Sequence, residues 1–357
     1  MESLLVTTRA TLGEVAIAAL PVTTNQGFKS IIPNAQTDPL FTYYLIGTLR
    51  SEMKRLASGT TFLEISKADF SRIRMLRPER SEQERIAAVL DTLDNGIAKT
   101  EALIEKLKQL RAGFLHEFTT RGLDDNGDLR NPLTNPEDFY QSSIGRIPKG
   151  WTPGVLADLV PPDRPIVYGI LMPGSGVPRG VPVIKVKDIK DRTIGQSDLL
   201  LTDPKIDAVY RRSRLKSGDL LFTIRGTVGR MAIVPPELNE ANITQDTARL
   251  SLQSAANPEF IAWWLETEIP TRFVRVHTIG VAVRGINLRD VRRIPIPVVP
   301  RPEQDAIAAI LEKMERKIMC ESQFVAKLKS LKSGMSADLL TGRVRVRESI
   351  LAEAISA

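Results

Sequence analysis

One cysteine and two histidines are all the thiol and imidazole that this 357-residue chain offers a zinc ion. Cys320 has no partner for an internal disulfide, which fits a reducing cytoplasm. His116 and His277 stand far apart, and with a single thiol they fall short of a structural zinc set. No apolar run reaches the roughly 18 residues that a membrane span needs. The start, Met1-Glu2-Ser3-Leu4-Leu5, lacks the basic residues and apolar stretch of a signal peptide. Catalytic signatures are missing as well. There is no G-x-x-x-x-G-K-[ST] phosphate loop, no Asn-Pro-Pro-Tyr or Asp-Pro-Pro-Tyr run, and no glycine-rich cofactor loop after a strand. Asp188-Ile189-Lys190 has the D-x-K spacing of half a nuclease site, but an isolated D-x-K is common by chance. No residue is therefore assigned to catalysis, to a cofactor or to a metal.

What is present is a core-forming composition with a basic surplus. The length of 357 residues is enough for about two domains, hydrophobic residues make up 42% of the chain, and the formal net charge is +7. That charge favours a polyanionic partner.

An internal repeat organises the rest. Ser3 to Ile17 (SLLVTTRATLGEVAI) matches Asp219 to Ile233 (DLLFTIRGTVGRMAI) at an offset of 216, with eight of fifteen positions identical. The match returns at an offset of 221. Glu82-Gln83 pairs with Glu303-Gln304, Ile86 to Leu90 with Ile307 to Leu311, Lys106-Leu107-Lys108 with Lys327-Leu328-Lys329, and Gly113 with Gly334. Between these anchors the strand-like Phe62-Leu63-Glu64-Ile65 sits opposite Val283-Arg284-Gly285-Ile286. Each repeat runs from a β-rich part through a Pro-containing boundary into a long helix. The boundaries are Arg77 to Ser81 and Pro295 to Pro302.

The helices carry matching apolar stripes. Ile86, Leu90, Leu93, Ile97, Ile104, Leu107, Leu110, Phe114 and Phe118 map one for one onto Ile307, Leu311, Met314, Ile318, Val325, Leu328, Leu331, Met335 and Leu339. Steps of three, four and seven put each set on one face, which predicts that the two helices bury their stripes against each other. The pairing set is Ile86, Leu90, Leu93, Ile97, Leu107 and Leu110 with Ile307, Leu311, Met314, Ile318, Leu328 and Leu331. Leu123 to Ser143, rich in Asp, Asn and Pro, reads as a connector, and Ile144-Gly145-Arg146-Ile147-Pro148-Lys149-Gly150-Trp151 opens the second β-rich part with Trp151 as its anchor. Trp263-Trp264 in FIAWWLETE reads as the buried side of a helix.

These features together resemble the specificity subunits of type I restriction–modification systems. The motifs that carry the resemblance are IGRIPKGW at 144–151, GDLLFTIRGTVGRMAIV at 218–234 followed by Asn242-Ile243-Thr244-Gln245-Asp246, the Pro-Glu-Gln helix start with Ser81-Glu82-Gln83 as its variant, and the helix end Leu340-Thr341-Gly342 with the looser Thr119-Thr120-Arg121-Gly122. The resemblance spans about residues 3–346. It implies an α/β (α+β) fold. Two β-rich target recognition domains are each followed by a long helix, and the helices pair as an antiparallel coiled coil. On that reading 1–79 is a partial first recognition domain, 80–122 its helix, 123–143 the connector, 144–300 the second recognition domain, 301–342 its helix and 343–357 a tail. It implies sequence-specific recognition of a bipartite site in double-stranded DNA and no intrinsic activity. The chain then directs methyltransferase subunits, two of them, and restriction/translocase subunits. S-adenosylmethionine, ATP and Mg²⁺ belong to those partners, no membrane is involved, and the location is cytoplasmic. The alternative is a non-catalytic protein-interaction scaffold whose first domain no longer reads DNA. Relative to the second repeat, the first lacks some 75 residues ahead of Met1, which points to a truncated gene, a mis-chosen start or a half-module variant.

Candidate DNA contacts follow from the residue types that read DNA: Arg on guanine or phosphate, Gln and Asn on adenine. Thr223 to Arg230 reads as strand, glycine turn and strand, so Arg225, Thr227 and Arg230 either face DNA or hold the turn. Arg9 and Thr11 recur at the same places in the first repeat, which suits architecture or phosphate contact better than specificity. Lys185 and Lys187 alternate with apolar residues, which predicts one strand face. Arg211, Arg212 and Arg214 form a basic cluster, and Gln245, Arg284 and Asn287 complete the set.

Overall fold

The computed structural model describes residues 3–281 and 283–346. Met1, Glu2, Ala282 and the tail from 347 to 357 lie outside the described residues. The chain forms two compact units: Met1–Lys106 with Ile318–Ala357, and Leu107–Lys317.

The first unit begins with β1 (Leu4–Arg9), β2 (Thr11–Ile17) and β3 (Phe28–Ile31), an antiparallel sheet in the order β2-β1-β3. Leu4, Val6 and Leu12 turn inward against Ile46, Met53 and Ile65. Three helices follow: α1 (Pro39–Thr48), α2 (Arg50–Leu56) and α3 (Lys67–Ser71). Pro39 fixes φ at the first turn of α1, and the Asp38 carboxylate accepts from Phe41 N at 2.8 Å. The long helix α4 (Arg80–Arg121) then starts, contributing 80–106 to this unit. The stretch Phe62–Ile65 is not a strand. Of these four residues only Glu64 makes a bridge, to Arg9 and to Ser58, and the chain bends at 60–62 just before it.

In the second unit, β4 (Phe139–Ser142) and β5 (Gly145–Pro148) form a hairpin ahead of Trp151, which is fully buried. Next come β6 (Thr152–Val155), β7 (Val167–Tyr168), β8 (Val181–Ile184), β9 (Ile189–Lys190), β10 (Thr193–Ile194), β11 (Leu200–Thr202) and helix α5 (Pro204–Val209). Then follow β12 (Leu220–Thr223), β13 (Met231–Ile233), β14 (Asn242–Ile243) and β15 (Thr247–Leu250). Helices α6 (Pro258–Leu265), α7 (Glu268–His277) and α8 (Leu288–Arg292) precede β16 (Pro295–Val298) and the long α9 (Arg301–Leu339). The principal sheet runs β13-β12-β15-β7, and a second runs β11-β8-β14. Every residue of β12 is buried, because one core lies on each of its faces. Trp263 and Trp264 fill the first of these cores, as their place on an apolar helix predicts.

The repeat is visible bond by bond. β1 pairs with β2 and β3 as β12 pairs with β13 and β15, all antiparallel. Thr8 N donates to Gly27 O at 2.7 Å where Ile224 N donates to Asp246 O at 2.8 Å. Ile65 N donates to Thr8 O where Ile286 N donates to Ile224 O. Gly59 and Gly280 both have positive φ, 135° and 101°, and a Cβ at either would overlap the carbonyl oxygen three residues on.

The helix starts are locked by one glutamine each. Gln83 is buried; its Oε1 accepts from Asp38 N, and its Nε2 donates to Pro78 O and Gln36 O. Gln304 repeats the arrangement with Asn257 N, Val299 O and Ala255 O. The side chain thereby satisfies polar backbone groups that the core would otherwise leave unpaired.

Both long helices contribute to both units, and the seam between them is antiparallel: in the first unit Asp94 meets Lys332 and Glu101 meets Lys329. Ile86, Leu90, Ile97, Ile104, Ile307, Leu311, Ile318 and Val325 are buried, while Leu93, Leu107, Met314 and Leu328 are half-buried. Leu110 and Leu331 correct the predicted stripe: they are 45% and 51% exposed. After Leu107 and Leu328 the 3–4 spacing of a coiled coil falls on Arg111 and Lys332, and these side chains take the seam instead. Arg111 pairs with Glu315, and Lys332 Nζ lies 2.5 Å from Asp94 Oδ1. The two pairs are copies of one another at the 221 offset. Each cation also stands over a ring at matched positions, Lys332 over Tyr44 and Arg111 over Trp263. Tyr44 Oη donates to Asp94, and burial together with that carboxylate pushes the phenol pKa well above its usual value.

Candidate nucleic-acid interface

The candidate DNA contacts of the second repeat lie in the second unit, around the turn between β12 and β13. Thr223 Oγ1 accepts from Arg230 N at 2.8 Å and donates to Thr227 O at 2.5 Å, closing the turn. The first repeat has the same closure, with Thr7 Oγ1 accepting from Glu14 N at 2.9 Å. Arg225 and Thr227 are exposed on this turn. Arg230 turns back, and its Nη1 donates to the carbonyls of Val186 and Ile189, so it ties the turn to the β8–β9 connection.

Arg225 and Gln245 line an open cleft of about 800 Å³ together with Tyr168, Leu171, Ile279 and Asn287. An adjoining cleft of about 890 Å³ lies on the other side of the turn, lined by Gly226, Thr227, Arg275 and Arg284 among others. Among the described residues, the side chains of Arg225, Gln245, Arg284 and Asn287 make no hydrogen bond or ion pair. Tyr168 had no distinguishing signal in the sequence, because its place in the cleft depends on β7 pairing with β15.

The remaining candidates are dispersed. Lys185 and Lys187 do not share a strand face: β8 ends at Ile184, and Val186–Asp188 is a 3₁₀ turn. The Asp188 carboxylate accepts from Lys185 N at 2.8 Å and thereby breaks the alternation. Lys187 is exposed and Lys185 partly so. Asp188 is thus engaged in the backbone of a turn.

Arg211 and Arg212 are exposed, whereas Arg214 pairs with the buried Asp207 at 2.5 Å, which holds its pKa above the ordinary arginine value. The loop that carries them rests on Arg249, which donates to the carbonyls of Arg212, Arg214 and Pro165. Burial, with neighbouring Arg164, pulls Arg249 down to about 10, so it remains charged at neutral pH. In the first unit, Arg9 lies 3.5 Å from Glu64, and Thr11 is exposed at the start of β2.

Sequence reasoning missed Arg192. It sits in the β9–β10 turn with φ of 59°, stands 3.9 Å over Trp263, and bridges Glu259 and Glu266. Among the described residues no group of side chains is suited to hold a metal ion, and no helix is long and apolar enough to cross a membrane.

The family model described as the type I restriction modification DNA specificity domain matches residues 1–109 and 181–330. The EcoBI specificity subunit of Escherichia coli is 27% identical over 281 residues, an alignment that covers 77% of this chain and 58% of the relative. The MjaIX specificity subunit of Methanocaldococcus jannaschii is 26% identical over 368 residues, covering 97% and 78%. The chain thus spans less than two thirds of the first relative and about three quarters of the second. The crystal structure of a type I restriction–modification S subunit from M. genitalium superposes with a TM-score of 0.60 at 16% identity, covering 95% of this chain and 83% of that one. A chain from a structure on assembly and conformational transition of the type I R-M system gives a TM-score of 0.56 at 18% identity, covering 95% and 81%. At these identities the structural likeness bears on the fold.

Proposed function

Because the chain belongs to the type I restriction–modification DNA specificity family, whose model matches well over half of it, we propose that it is the DNA-reading, non-catalytic subunit of such a complex. It recognises a bipartite site in double-stranded DNA and brings two methyltransferase subunits and the restriction/translocase subunits to it. On this reading S-adenosylmethionine, ATP and Mg²⁺ act in those partners, and the protein works in the cytoplasm. The recognition domains are 1–79 and 144–300, joined to the helices 80–122 and 301–342 and separated by the connector 123–143; the tail is 343–357.

One observation carries the reading. The same turn, the same glutamine lock and the same cation–carboxylate–ring contact recur at matched positions in both repeats. A duplicated head suits a divided site, and the second head offers exposed cations that have no acidic partner among the described residues, such as Lys187, Arg211, Arg212, Arg225 and Arg284. Such cations gain affinity by displacing counterions from phosphates.

The test is a domain exchange. Residues 144–300 are replaced by the corresponding part of another family member, and the methylated sequence is read after co-expression with the methyltransferase subunit. The expected outcome is a new sequence in one half of the site and an unchanged other half. Change in both halves, or in neither, contradicts the assignment.

A further inference from the structure

The two repeats build one turn and leave it in opposite electrostatic states. The bridge Arg9–Glu64 in the first repeat is the bridge Arg225–Gly285 in the second. In the first, Glu64 places a carboxylate 3.5 Å from the guanidinium. In the second a glycine stands there, and Arg225 has no acidic partner among the described residues. A surface pair of this kind adds little stability. Its effect on a ligand is larger, because an approaching phosphate meets a cancelled charge with a carboxylate beside it.

The next matched position differs in the same sense. Ser66 is the N-cap of α3, and its Oγ accepts from Asp69 N at 3.0 Å. Its counterpart Asn287 is the N-cap of α8 and makes no side-chain cap bond. Asparagine ranks among the best N-cap residues. The Asn287 carboxamide forgoes that bond and lines the cleft with Arg225 and Gln245. Gln245 itself corresponds to Gln26, which stands on exposed surface.

A carboxamide presents a donor and an acceptor side by side, matching N6 and N7 of adenine. A guanidinium matches O6 and N7 of guanine. We propose that the cleft of Arg225, Gln245 and Asn287 reads purine edges of duplex DNA, and that the equivalent turn of the first repeat, occupied by Glu64 and by the capping Ser66, is not the surface through which that repeat meets DNA. This rests on the DNA-reading function proposed above.

The full chain is incubated with duplexes carrying a random central segment, and the bound duplexes are sequenced. Affinity for the selected duplex and for an unselected one is then measured for the wild type and for variants. Asn287→Ala and Gln245→Ala are each expected to lower affinity for the selected duplex by about 5- to 150-fold, to leave the unselected one nearly unchanged, and to relax selection at one purine. Asn287→Ser, which imitates the first repeat and keeps a cap, is expected to lose selection equally while its thermal midpoint holds or rises. Arg9→Gln should change neither affinity, and Glu64→Gly should tighten binding to the unselected duplex and steepen its salt dependence. Unchanged selection in Asn287→Ser and Gln245→Ala overturns the reading cleft. An Arg9→Gln loss as large as that of Arg225→Gln overturns the proposal for the first repeat's turn. If the wild type selects no sequence at all, the DNA-reading function fails, and this inference with it.

Discussion

Glu303 is the residue on which the second unit's helix start turns. Its carboxylate accepts from Trp151 Nε1 at 3.0 Å, from Leu123 N at 2.7 Å and from Arg130 Nη1 at 2.6 Å. Gly122 lies against this cluster with φ of 64°, and a Cβ there would overlap Glu303 and Arg130. Gly122→Ala therefore combines backbone strain with displacement of a buried ion pair. It is expected to destabilise the protein by about 2–4 kcal/mol, read as a lower urea midpoint; an unchanged midpoint would refute the geometry. Glu312 supplies a pH signature. Burial, reinforced by Glu259, raises its pKa above the ordinary 4.5. The folded state then binds the proton more tightly than the unfolded chain. Stability falls as pH rises through the window above 4.5, and the cost is present in full at higher pH. Glu312→Gln should accordingly raise the melting temperature at pH 7 and lose that advantage in acid, below the ordinary glutamate value. Equal effects at both pH values would argue against a raised carboxyl.

At the scale of elements, the helix seam is held by charge where the apolar pattern lapses. Arg111–Glu315 and Asp94–Lys332 are partly buried and each is backed by a ring. Arg111→Glu should destabilise, and adding Glu315→Arg should restore most of the loss. A coupling of about 1 kcal/mol in a urea double-mutant cycle is expected, somewhat above the usual surface pair; zero coupling would mean the seam runs elsewhere. This is also where reading by hydrophobicity departed from the structure. The stripe was legible from Ile86 to Leu107 because apolarity and spacing agree there at every position but Thr100, whose counterpart is Glu321. At Leu110 and Leu331 they disagree, and spacing prevails. Local hydrogen bonding explains a second departure. Nothing in the alternation of VIKVKDIK reveals that the Asp188 carboxylate will fold it into a turn. The β12–β13 turn was legible from Gly226 and Gly229. Which of its arginines points out was not, since the fate of Arg230 depends on carbonyls some forty residues earlier in the chain.

For the whole molecule, the repeat was the most legible feature, because two copies of one pattern constrain each other across the chain. It foretold two long helices with a common seam. The cleft was less legible: Tyr168, Gln245 and Asn287 meet through pairings between strands far apart in sequence. The DNA-reading function proposed above draws on a basic chain, a duplicated head and, among the described residues, surface arginines without an acidic partner. The most direct test is equilibrium binding of the full chain to a duplex of about 40 base pairs, repeated from 50 to 200 mM salt. With six or more phosphates contacted, affinity should fall by about three orders of magnitude or more across that range. Binding that is flat in salt, or no binding at the lowest salt, would contradict the account.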